Sequence, residues 1–158
     1  MSITSTIPAV HGTVTVGVPV ERAFRFFTDS FHTWWPPEHH IGGADPARVV
    51  LEPGTGGRWY ERGVDGSECD WGRVLVWEPP HRLVVTWQIS GEWKYDPDPG
   101  HASEIEIRFT ADGPDRTVVA LEHRLLDRLV GGRAVRDAVG GTGGWSALLA
   151  VYAGAVTA

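Results

Sequence analysis

Two sets of residues in this chain carry side chains able to do chemistry. The first is the stretch FHTWWPPEHHIGG, residues 31 to 43, in which Glu38, His39 and His40 stand beside two tryptophans and two prolines. Imidazole can donate, accept or carry a proton near neutrality, so such a group suits acid/base work or metal binding. The spacing argues against a metal. Zinc sites present paired ligands, and HEXXH sets two histidines one helical turn apart. Adjacent residues on a proline-broken backbone do neither, so no metal and no cofactor is expected. His39 and His40 read either as groups at the mouth of a cavity or as ordinary surface-loop residues.

The second set is Glu61, in GRWYE, and His123, in VALEHRL. Alternation along a strand places Trp59 and Glu61 on one face, and Thr117, Val119, Leu121 and His123 on one face. A buried carboxylate is costly unless paired. Glu61 therefore reads as the partner of an arginine such as Arg73, or as an acid or base in a cavity. His123 reads as a core imidazole satisfied by a backbone carbonyl or a hydroxyl near a tryptophan, or as the second half of an acid/base pair with Glu61. These two are the catalytic candidates. Cys69 has no basic or helix-N-terminal neighbour in sequence to activate it. Glycines 54, 56 and 57 lack the Lys-Ser/Thr pair of a phosphate loop, and read as a hairpin turn.

The elements that must position these groups follow from periodicity. Val10, Gly12, Val14, Val16 and Val18 alternate with polar residues and glycine, which predicts a half-buried strand. Pro19 ends it and opens VERAFRFFTD, where Val20, Ala23, Phe24 and Phe27 recur at helical spacing. FHTWW adds one more helical turn before Pro36 and Pro37 stop it. From residue 48 the period becomes two. Six strands are predicted: ARVVLEP, GRWYERG, DWGRVLVWE, RLVVTWQIS, SEIEIRFTA and RTVVALEHRL, linked by turns short enough for antiparallel neighbours. In SEIEIRF, Ile105, Ile107 and Phe109 face inward, while Glu104, Glu106 and Arg108 face water. RAVRDAV adds a helical piece. TGGWSALLAVYAGAV then places Trp145, Leu148, Leu149, Tyr152 and Val156 on one stripe, with Thr142 as N-cap of the final helix.

Composition narrows the function. The 158 residues suffice for one domain, read as 1–158, that buries roughly 70% of the unfolded chain's surface. Fourteen Lys plus Arg against twenty Asp plus Glu give a net charge of −6, which repels phosphate backbones and anionic lipids; nucleic acid is not an expected partner. One cysteine forms no internal disulfide, and MSITSTIPAV lacks the basic and apolar regions of a signal peptide. A cytoplasmic location without membrane insertion is expected. Eight tryptophans in so small a chain suggest a lined cavity, with core filling as the rival explanation.

At residue level the chain resembles the START-like (SRPBCC, helix-grip) superfamily, in the branch of homologues of the activator of the heat-shock-90 chaperone ATPase. The matching segments are PVERAFRFFTD, the WW-P of Trp34 to Pro36, GTGGRWYE, WGRVLVWEPPHRLVVTW, VALEHRL and the Gly-Gly-Trp at 143–145. The resemblance implies an α+β fold in which a seven-stranded curved antiparallel sheet wraps a long C-terminal helix and leaves a cavity between them. Superfamily relatives bind lipids, hormones and polyketides, and a few cyclise or hydrolyse them. The leading expectation is noncatalytic binding of a small, mainly apolar or aromatic ligand. Trp35, Trp59, Trp87, Phe109 and Trp145 would supply area and Glu61 and His123 orientation, with Trp34 capping one end, His39 or His40 at the mouth, and Leu149 and Tyr152 completing the ligand-binding set. The alternatives are an enzyme acting on a hydrophobic cyclic, polyketide-like substrate, and a chaperone-ATPase co-regulator working through Glu104, Glu106 and Arg108. A homodimer is compatible with the sequence.

Overall fold

The long connection after the first strand decides the architecture. In the computed structural model, which describes residues 7–158, β1 (Val10–Val16) lies at one edge of the sheet and β2 (Pro46–Leu51) at the other. Between them α1 (Val20–Asp29) and α2 (Phe31–Trp34) carry the chain across the inner face. The chain then zigzags back through β3 (Arg58–Gly63), β4 (Glu68–Glu78), β5 (Arg82–Trp87), β6 (Ser103–Ala111) and β7 (Thr117–Arg124) until β7 pairs with β1. The result is a seven-stranded antiparallel sheet in the order β1-β7-β6-β5-β4-β3-β2, followed by α3 (Gly132–Val139) and α4 (Trp145–Val156). This is the expected helix-grip fold.

Curvature has local causes. Register shifts interrupt the β2–β3, β3–β4 and β4–β5 ladders, and each such irregularity bends a strand and adds twist. Gly72 lets β4 fold closely over β5: a Cβ there would lie 1.9 Å from the Thr86 carbonyl oxygen. At the β1 edge Gly12 allows α4 onto the sheet, with Leu149 Cδ1 only 2.9 Å from where a Cβ would stand. The helix is thus clamped to the closed side of the sheet.

Much of the space under α4 is filled. Phe24, Phe27, Phe31, Trp34, Phe109 and Tyr152 are all buried and meet at ring-centroid distances such as 5.2 Å for Phe24–Phe109 and Phe27–Tyr152. Most of these pairs are edge-on or tilted, the arrangement favoured by the ring quadrupole and worth about 0.5–1.5 kcal/mol per pair beyond burial. The Tyr152 hydroxyl donates to the Ala23 carbonyl at 2.7 Å, which ties α4 to α1.

Two sequence expectations need correction. Thr142 does not cap α4; Gly144 holds that position without a side-chain bond, because a Cβ there would meet the Val139 carbonyl oxygen at 1.9 Å. Glu106 does not simply face water. Its carboxylate, 8% exposed, is covered by Arg82, Arg108 at 3.0 Å and Arg124 at 2.8 Å, since long arginine stems on neighbouring outer-face positions close over it. Tyr60 is likewise buried on the outer face, beneath the Arg58 guanidinium 3.9 Å from its ring centroid. Among the described residues no helix is long and apolar enough to cross a membrane. The reading of an absent signal peptide rests in part on residues 1–6, which lie outside the described residues.

Candidate functional site

One end of the interior stays open. Where the loop after α2 meets the end of β5 and the turn from α3 into α4, a cavity of about 400 Å³ remains. Trp35, Trp71, Trp87, Trp93 and Trp145 line it together with Ile41, Ile89, Val139 and Leu148, and Glu38, His39 and His40 supply polar edges. Five indoles therefore frame one space.

Local sequence shapes the first wall. Pro36 requires an extended residue before it, and Trp35 has φ −68° and ψ 126°. Its ring stacks on Phe31 at 5.0 Å, and its Nε1–H donates to the His39 carbonyl at 2.8 Å. That bond curls residues 36–39 back over the indole. It is why Glu38, His39 and His40 face the cavity.

Glu61 holds the next turn of this loop. It is buried, and its Oε1 accepts from the Ile41 N–H at 2.7 Å and from Trp71 Nε1 at 2.9 Å. Its Oε2 stands 3.5 Å from His40 Nδ1, a buried nitrogen with no shorter contact to any acceptor. Gly42 passes so close that a Cβ would lie 2.9 Å from Oε2. Arg73, the partner expected from sequence, instead binds Asp70 at 3.2 Å. The reason is strand direction: the Arg73 side chain projects from the face opposite to the one that buries Glu61.

Behind the cavity a second polar chain runs through the core. Trp145 Nε1–H donates to His123 Nδ1 at 3.0 Å, His123 Nε2 meets Ser103 Oγ at 2.9 Å, and the Ser103 hydroxyl donates to the Trp87 carbonyl at 3.0 Å. Because Nδ1 accepts and the hydroxyl proton is already used, Nε2 must carry the imidazole proton. Every group is satisfied by a neutral ring. Burial pushes His123 down to about 3, so it stays uncharged at neutral pH. Its role in this arrangement is to fix Trp145, a cavity wall.

The predicted residues therefore divide. Trp35, His39, His40, Trp87 and Trp145 line the cavity. Glu61 and His123 stand behind it and are not brought together, since β4, β5 and β6 separate their strands. Trp34, Trp59, Phe109, Leu149 and Tyr152 belong to the packed core, where the gap beside Trp59 is about 10 Å³, about one water probe. Strand parity identifies the inward face, but depth along the sheet decides whether an inward residue meets a ring or a void. Trp71 and Trp93 were missed. Trp71 sits at the register shift between β3 and β4, where simple parity would have grouped it with the outward Arg73. Trp93 lies in a loop at φ 62° and is 41% exposed at the cavity edge; no periodicity marks it. Cys69 is partly buried, and burial, with Glu61 and Asp70 beside it, pushes its thiol up, away from the reactive thiolate. Among the described residues no three His, Cys, Asp or Glu side chains gather as a metal site.

Comparison with known proteins agrees with this architecture. The chain matches the family described as Activator of Hsp90 ATPase homolog 1-like protein over residues 17–153. It is 41% identical to an anthrahydroquino-γ-pyrone synthase, Txn09, solved with SUM, covering 96% of this chain and 99% of that one at a TM-score of 0.67. The self-sacrificing resistance protein CalC from Micromonospora echinospora is 32% identical, with 94% of each chain covered and a TM-score of 0.69. An Hsp90 activator from Plasmodium falciparum shares the fold at 21% identity, 73% and 71% coverage and a TM-score of 0.50. A comparison with curated sequences gave no match. With the family matched across most of its length, and its sheet, helices and terminal clamp all in place, this chain is a member of the Activator of Hsp90 ATPase homolog 1-like family, of helix-grip fold.

Proposed function

We propose that this protein binds a planar, polycyclic aromatic small molecule of polyketide type between Trp35, Trp87 and Trp145. The observation that carries the reading is the cavity of about 400 Å³ framed by five indoles with polar groups along its edge. Ligand pockets typically span about 300–1,000 Å³, mostly apolar with a few placed polar groups. A cavity of about 150 Å³ holds one benzene, so this one has room for roughly two to three fused rings. Indole faces favour offset or edge-on contact with other aromatic rings. The 41% identity to an anthrahydroquino-γ-pyrone synthase supports the same ligand chemistry.

The test uses 1,2-dihydroxyanthraquinone as probe. At about −0.3 kcal/mol per heavy atom, its 18 heavy atoms (a property of the dye) give a Kd of roughly 100 µM. Saturable quenching of tryptophan fluorescence, with a matching calorimetric isotherm, is expected. Leu148→Trp puts a sixth indole into the cavity wall and should weaken binding at least several-fold while far-UV circular dichroism stays native. Unsaturable quenching, or undiminished binding by this narrowed variant, would remove this reading.

The identity to a synthase favours a second reading, in which the bound polyketide is cyclised in this cavity. Incubation with a linear phenolic polyketide, followed by mass and chromatographic analysis for an isomeric product, distinguishes turnover from binding. A chaperone-ATPase co-regulator reading draws on the family description alone. Its outer-face groups Glu104 and Glu106 are already engaged with arginines.

A further inference from the structure

We propose that His40 is a general base in the cavity wall and that Glu61 is its positioning residue, acting on acidic phenolic hydroxyls of the bound aromatic. This rests on the aromatic-binding reading above. Four observations converge on it. His40 lines the cavity. Its Nδ1 is buried, stands 3.5 Å from Glu61 Oε2, and has no hydrogen-bond partner among the described residues. Glu61 cannot swing away, because Oε1 is held by Ile41 N–H and Trp71 Nε1–H. Finally, Gly42 and the Cys69 Cβ close around the carboxylate; a Cβ added at Gly42 would meet Oε2 at 2.9 Å and Cys69 Cβ at 3.7 Å.

With Nδ1 turned toward a fixed carboxylate, the ring carries its proton on Nδ1 and leaves the Nε2 lone pair as the free edge. That is the tautomer a base needs. In apo structures such base–carboxylate contacts are often long and shorten once a ligand is bound, which fits the 3.5 Å separation. When a phenol presents its hydroxyl to Nε2, the O–H bond breaks, its electron pair stays on oxygen, and the proton forms an N–H bond at Nε2. The resulting imidazolium faces the Glu61 carboxylate. Returning the proton to another atom of the same molecule regenerates neutral His40, so no oxidant, reductant or second substrate takes part. The established logic of acid/base groups gives a contribution on the order of 10²–10⁴ in rate for such a transfer.

His123 cannot take this role. Both of its nitrogens are engaged within the core, whereas the His40 side chain is 26% exposed and lines the cavity. The His39 ring meets Trp35 edge-on at 5.9 Å, and among the described residues no carboxylate stands within ion-pair distance of it.

The experiment follows two signals in one titration. Tryptophan quenching reports binding of 1,2-dihydroxyanthraquinone, and the dye's yellow-to-red absorbance change reports loss of its phenolic proton. At pH 6 the bound dye should be at least threefold more ionised than free dye in wild type. At dye concentrations that saturate each variant, bound dye in His40→Gln and Glu61→Gln should show only the ionisation of free dye. Glu61→Gln is the sharper variant. Its amide oxygen keeps the bonds from Ile41 and Trp71, while its NH₂ now donates to Nδ1 and forces the proton onto Nε2. Imidazole ¹⁵N shifts should report that change of tautomer without any ligand, and unchanged thermal melting would show the fold intact. Bound dye that stays neutral in wild type, or equal ionisation in Glu61→Gln, overturns the proposal while leaving the binding reading standing. Absence of saturable quenching overturns the binding reading itself, and with it the dyad's substrate.

Discussion

Replacing His123 by Asn tests the polar chain behind the cavity through its pH dependence. Asn Oδ1 can still accept from Trp145, and Ser103 keeps its bond to the Trp87 carbonyl, so the direct loss is one hydrogen bond and some ring packing, about 1–3 kcal/mol at pH 7. Protonation adds a second, larger effect in wild type. The unfolded histidine titrates near 6.5, whereas burial holds the folded one at about 3. Above pH 6.5 both states are neutral and the contribution is fully present. As pH falls from 6.5 toward 3, the unfolded chain takes up a proton that the folded protein refuses, and stability drops by about 1.4 kcal/mol per pH unit. Between pH 7 and pH 5 this removes about 2 kcal/mol from wild type and nothing from His123→Asn. Urea unfolding of both proteins at pH 7, 6 and 5 measures it, with the difference between them isolating this residue from other titrating groups. The gap in stability should shrink by about 2 kcal/mol over that range. Parallel pH profiles, or a His123 imidazole resonance, assigned by its loss in His123→Asn, that titrates near pH 6 in the folded state, would refute the closed chain from Trp145 to Trp87.

Two further substitutions probe what holds the cavity open. Gly144→Ala forces a Cβ to within 1.9 Å of the Val139 carbonyl, so the turn between α3 and α4 must shift; a loss of roughly 2–4 kcal/mol in urea unfolding is expected, together with a changed Trp145 environment in near-UV circular dichroism. Tyr152→Phe removes the donor to the Ala23 carbonyl in the packed half of the interior. It should lower stability by about 1–2 kcal/mol and leave dye affinity unchanged, because Tyr152 is no part of the cavity.

The fold was legible because it rests on short-range rules. Alternation in SEIEIRF, the proline after β1, the paired prolines after α2 and the turn clusters between strands each depend on neighbours within a few residues. The bounds of α1, Val20–Asp29, match the segment read as helical, since Pro19 starts it and the apolar spacing of Ala23, Phe24 and Phe27 sustains it. The end of α4 was less legible. A polar residue was expected to cap it, but the close approach of Val139 leaves room only for glycine, and that crowding belongs to a neighbouring helix.

The sequence by itself determined the antiparallel sheet, the inward direction of Glu61 and His123, and the proline-forced stop that ends α2 before the PPEHH loop, because periodicity, proline geometry and the cost of burying charge act locally. Only the tertiary structure decided which inward residues meet a void and which meet a ring. It also paired Glu61 with His40 rather than His123, and gave His123 to Ser103 and Trp145. Those choices depend on where β1, β3 and α4 come to lie once the chain has crossed the sheet from edge to edge. Contacts between residues 20 to 22 places apart, as these are, leave no periodic trace, so packing alone could settle them.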